Sequence, residues 1–89
     1  MTPFEEYPLK QRLLELAQDE IVRRFELIEL MPSGQLRAYR SVAYYWQLRA
    51  EGYGGPQYEE LAQLFWEAKR RAERLAQEIE QAARSEIQV

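Results

Sequence analysis

Seven of the twelve basic residues fall into two groups, Arg37, Arg40 and Arg49 in the middle of the chain and Lys69, Arg70, Arg71 and Arg74 further on. Lys and Arg grouped in this way serve phosphates, because each neutralised phosphate releases condensed counterions and adds affinity that does not depend on base sequence. Arg37, Arg40, Lys69, Arg70, Arg71 and Arg74 are therefore the candidate nucleic-acid contacts. Glu67, Glu73 and Glu78 interrupt the field around the second group. That interruption makes nucleic-acid binding the alternative reading rather than the leading one.

Tyr44, Tyr45 and Arg49 offer a different chemistry. Eight of the eleven aromatic residues lie between Tyr39 and Trp66, and a Tyr44-Tyr45-Trp46 run must turn some rings away from any single core face. Tyr, Trp and Arg are the types that dominate protein interface hot spots. A small domain that fills its core with large rings and leaves the hydroxyls at the rim explains the same residues.

The chain has no Cys and no His. Thiolate nucleophiles, disulfides, Cys or His zinc sites and the His-dependent relays are thereby excluded, together with the commonest general base near neutral pH. The carboxylates sit in helical charge patterns: Glu67 with Arg71, Lys69 with Glu73, Arg74 with Glu78 and Glu80 with Arg84 are opposite charges four residues apart, each supporting a helix by a few tenths of a kcal/mol. No catalytic residue, cofactor or metal is expected, and the chain reads as a non-enzyme.

With 89 residues, 46% of them hydrophobic and 30% charged, the chain reads as one domain near the size at which a single core is marginal and a partner helix often completes the stability. No apolar run approaches the roughly 18 residues that cross a bilayer, and Met1–Tyr7 carries two Glu and no basic residue, so a cytoplasmic location is expected. The formal charge of −3 is uneven: residues 1–31 carry four basic and seven acidic groups, 32–55 three and one, 56–89 five and seven. Only the middle is basic, and mildly so.

The elements that must position these residues follow from periodicity. Pro8 suits the first position of a helix, and Leu13, Leu14, Ala17, Ile21, Phe25 and Ile28 supply an apolar stripe, giving a first helix over about 8–30 that Pro32 ends. Ser33-Gly34 then turns the chain, and Leu36, Tyr39, Val42, Ala43 and Trp46 predict a second helix over 35–51, closed by a left-handed Gly52. A β-hairpin within residues 25–45 is the alternative, which would make the fold α+β, but strict alternation is absent there. The connection 52–56 is rich in Gly and reads as a corner, with Pro56 opening a third helix over about 57–84.

Tyr58, Leu61, Phe65, Ala68, Ala72, Leu75, Ile79 and Ala82 follow an unbroken 3-4 spacing along that helix, the a/d seam of a coiled coil. The expected fold is all-α, a three-helix bundle with a long, coiled-coil-like C-terminal helix. Its tail outruns the shorter second helix, which leaves Leu75 and Ile79 asking for cover. Ala68, Ala72 and Ala76 would let a second backbone come close. The candidate protein interface is accordingly Tyr44, Tyr45, Arg49, Ala68, Ala72, Leu75, Ala76 and Ile79, the partner being a second copy or another protein.

The stretch Leu48-Arg49-Ala50-Glu51-Gly52-Tyr53, followed by Glu59-Glu60-Leu61 and the long helix, resembles the latter part of MerR-type regulators, in which a similar turn leads to a dimerisation helix. The resemblance covers at most half the chain and implies a dimeric, DNA-associated protein. That family's N-terminal helix-turn-helix has no counterpart here.

Overall fold

The computed structural model describes residues 3–88, and their side chains over 9–86. It is all-α: α1 (Pro3–Glu29), α2 (Gln35–Glu51) and α3 (Glu59–Gln88) run up, down and up, with one 3₁₀ turn at Pro56–Tyr58 leading into α3. Among the described residues there is no strand, and the hairpin alternative is not needed.

α2 has the limits its sequence predicts, whereas α1 starts earlier and α3 ends later. Pro3 rather than Pro8 opens α1, the first turn being where a missing N–H costs least. The two glycine corners also exchange roles. Gly34, before α2, is the left-handed residue with φ of 77°, a conformation that costs an L-residue roughly 1–2 kcal/mol. Gly52 stays right-handed, because its N–H continues the helical pattern onto the Leu48 carbonyl at 3.1 Å. The end of α1 is also satisfied by a side chain: the Gln35 amide donates to the carbonyls of Ile28, Glu29 and Met31 at 3.1–3.2 Å, beside the Met31 N–H that bonds the Ile28 carbonyl at 3.0 Å, in the region where a helix runs out of its own donors.

The core lies mainly between α2 and α3. Trp46, Phe25 and Phe65 are fully buried, and Tyr39, Val42, Ala43, Leu61, Ala68, Ala72 and Ala76 surround them. Trp46 stacks on Phe65 with ring centroids 5.6 Å apart, and Tyr53 stacks on the same ring at 6.0 Å. The Trp46 Nε1 finds no hydrogen-bond acceptor among the described residues, an omission costing about 1–3 kcal/mol. Burying the large ring offsets it, at about 25 cal/mol per Å² of apolar surface.

α1 is held more lightly. It contributes Ala17, Phe25 and Ile28 to the core, with Leu14 and Ile21 packed at its edge. The molecule is consequently long and thin, 63 × 23 × 14 Å.

Candidate interaction surface

Adjacent residues on a helix point about 100° apart, so only one of Leu13 and Leu14 can face the core. The structure selects Leu14 and turns Leu13 outward, which corrects the single stripe read from the sequence. Leu13 belongs to a second row, Leu9, Leu13, Leu16, Glu20, Arg23, Leu27 and Leu30, with steps of 4 and 3 in strict alternation. This is an a/d seam with two charges at its centre. Its leucines stay largely open among the described residues, Leu16, Leu27 and Leu30 being 48, 59 and 80% exposed, while Glu20 at the centre is partly covered from α2. A shallow groove lined by Leu16, Asp19, Glu20, Arg23, Arg24 and Leu27 follows the same face. A wider apolar opening between α1 and α2, lined by Leu27, Ile28, Met31, Ala38 and Val42 among others, adjoins it.

Glu20 is anchored where this face meets α2. Arg49 Nη1 donates to both Glu20 oxygens at 2.9 Å and to the Tyr45 hydroxyl at 2.8 Å, while that hydroxyl donates to Glu20 Oε1 at 3.1 Å. The Arg49 guanidinium also lies 4.6 Å from the centroid of Phe65 and 5.7 Å from that of Tyr45. Partial burial favours loss of its proton, but the hydrogen bonds to Glu20 and Tyr45 outweigh that and hold its pKa above the ordinary value. Arg49 is a permanent cation that ties α1, α2 and α3 together.

The residues singled out from the sequence are thus divided. Tyr44 is exposed, whereas Tyr45 and Arg49 are half-buried in the Glu20 cluster. Ala68, Ala72 and Ala76 are buried inside the chain, and Leu75 and Ile79 pack against the core, so the α3 seam is closed largely by the chain itself. Cover ends after Glu80: Gln81 to Glu86, including Ala82, are exposed. The basic set does not gather on one face. Arg40 pairs with Glu80, Lys69 lies over the Trp66 ring 3.8 Å from Glu73, and Arg71 covers Phe25 with its guanidinium 4.3 Å from the ring centroid. Arg37, Arg70 and Arg74 are exposed.

The outer row of α1 was missed because Glu20 and Arg23 break its apolar pattern; the alternating 4 and 3 steps were the signal that shows it. Among the described residues, no group of three or more acidic side chains is placed to hold a metal ion. No described helix is long and apolar enough to cross a membrane. No family model, curated protein or solved structure matches the chain, and the resemblance to MerR-type regulators therefore carries no argument about what it does.

Proposed function

We propose that this chain is a non-enzymatic, cytoplasmic protein–protein interaction module, an adaptor or assembly unit that docks through the outer face of α1. One observation carries the reading: Leu9, Leu16, Leu27 and Leu30 stand at heptad spacing along the outer side of α1 and its C-terminal turn, each 48–80% exposed. Scattered exposed leucines are ordinary on a protein surface, but an aligned row is a binding feature. The nucleic-acid alternative has weaker support, because Arg40 and Lys69 share their groove with Glu73 and Glu80 and the local field is mixed.

Site-specific photo-crosslinking in the native cells tests the reading for any partner. A photoreactive residue at Leu27 should yield discrete protein adducts, while the same residue at the exposed Gln81 of α3 should not. Equal, background labelling at the two positions would mean that the α1 face has no protein partner.

A further inference from the structure

Across the middle of the α1 row the sequence reads Asp19-Glu20-Ile21-Val22-Arg23-Arg24, two acids and two bases placed symmetrically about the Ile21–Val22 bond. We propose that this face pairs with the same face of a second copy, antiparallel, about a two-fold axis passing between Ile21 and Val22. The proposal rests on α1 being a docking face and adds what docks there.

The register follows from the row itself. With Leu9, Leu16, Arg23 and Leu30 as d positions, Leu13, Glu20 and Leu27 are a positions, and antiparallel helices set each a against a d of the other chain. About this axis Leu13 meets the partner's Leu30, Leu16 meets the partner's Leu27, and Glu20 meets the partner's Arg23. Each layer occurs twice by symmetry, so two central ion pairs are flanked by four leucine pairs. Other arrangements lose this match. A parallel, in-register dimer sets Glu20 on Glu20 and Arg23 on Arg23, and sliding the antiparallel pair by one heptad places both charges against leucine. An unpaired charge in a dehydrating seam is strongly disfavoured. Self-complementary charge about a two-fold axis is the signature of an isologous contact, and it selects a copy over an unrelated helix.

The fold prepares the centre of this seam. The Glu20 side chain is 32% exposed, and Arg49 and Tyr45 fix its carboxylate before any partner arrives. A carboxylate has about four acceptor sites, which leaves capacity for a second guanidinium. Arg23 is exposed and takes part in no ion pair or side-chain hydrogen bond found among the described residues. On one flank Asp19 approaches the partner's Glu26, a like-charge contact open to water and screened by salt.

Because the chain has no cysteine, single-cysteine variants of the full-length protein test the geometry directly. Leu16 and the partner's Leu27 share a layer, whereas the two copies of Leu16 stand about 16 Å apart at a 1.5 Å rise per residue, beyond the reach of a disulfide. Leu16→Cys and Leu27→Cys should each remain unlinked alone under mild oxidation and form a disulfide-linked dimer when mixed. Cross-linking of each variant with itself and not with the other would overturn the antiparallel arrangement. Sedimentation of the wild type supplies the second arm. A dimer should be present, and Arg23→Glu should weaken it at least about tenfold through like-charge opposition at the centre, with Arg70→Glu as a silent control. A wild type that stays monomeric at about 100 μM, a weak limit on the affinity scale, would overturn self-pairing. Leu27 adducts to a different protein in cells would still uphold the docking face.

Discussion

Tyr44 and Tyr45 are neighbours in sequence, yet they lie on either side of the boundary between surface and structure. Tyr44 is 62% exposed; Tyr45 holds the Arg49–Glu20 cluster together through its hydroxyl and packs its ring 5.0 Å from Trp46. Truncating them should separate these roles. Tyr44→Ala should leave the unfolding free energy in urea within about 0.5 kcal/mol of wild type, the usual size of a surface change. Tyr45→Ala should cost about 2 kcal/mol through lost packing on Trp46 and the loss of the hydroxyl's hydrogen bonds with Arg49 and Glu20. Equal midpoints for the two variants would show that the cluster adds nothing to the fold. Periodicity could not assign these residues, since it marks a face to within about one residue and the two rings straddle its edge. Nor could it find Glu20, whose partner Arg49 stands 29 positions away; that pairing exists only once α1 has docked on α2.

At the scale of elements, the alanine row of α3 is where sequence and structure meet most closely. Ala68, Ala72 and Ala76 were readable as a seam of small residues, and they are buried. The helix that covers this part of α3 is α2 of the same chain; Ala76 shares a groove with Ala43 and Tyr44. Which helix would provide the cover was not legible, because a heptad pattern specifies a stripe and not its occupant. Leu at Ala72 or Ala76 should overpack this contact and lower stability by about 1–3 kcal/mol. Gln77→Leu, at an exposed position, should change it by a few tenths at most, Leu and Gln being similar helix formers. Denaturant unfolding with unchanged m-values would establish the contrast, and three equal effects would refute it. The helix ends were read less well than the helices. Proline marks where a helix is permitted to begin and not where it must, which is why a start read at Pro8 and an observed start at Pro3 differ.

At the scale of the whole molecule, α1 is the element with least to hold it. Most of the buried surface is shared by α2 and α3, and α1 adds three buried residues together with the Glu20–Arg49 and Lys10–Glu60 pairs. Native-state hydrogen exchange should show α1 amides opening at lower free energy than those in the middle of α2 and α3, as expected for a cooperative unit with fewer apolar contacts. If α1 is also the docking face, raising the protein concentration should slow exchange selectively over residues 13–30. Uniform protection across the three helices would contradict this division.

The elongated shape has a hydrodynamic meaning. A compact chain of this length has a radius of gyration of about 12 Å, against 16.4 Å here, so the monomer displaces solvent like a larger globule and retention on a sieving column overstates its mass. In helices the backbone N–H bonds lie along the helix axis, and all three helices run along the long axis. Most amide vectors therefore reorient with the slow end-over-end tumbling of the rod and hardly sense its faster spin. The proposed two-fold lies about 17 Å along α1 from Lys10 at a 1.5 Å rise per residue, close to the middle of the rod. Pairing there widens the particle with little gain in length: mass doubles, the axial ratio falls, and friction per unit mass decreases.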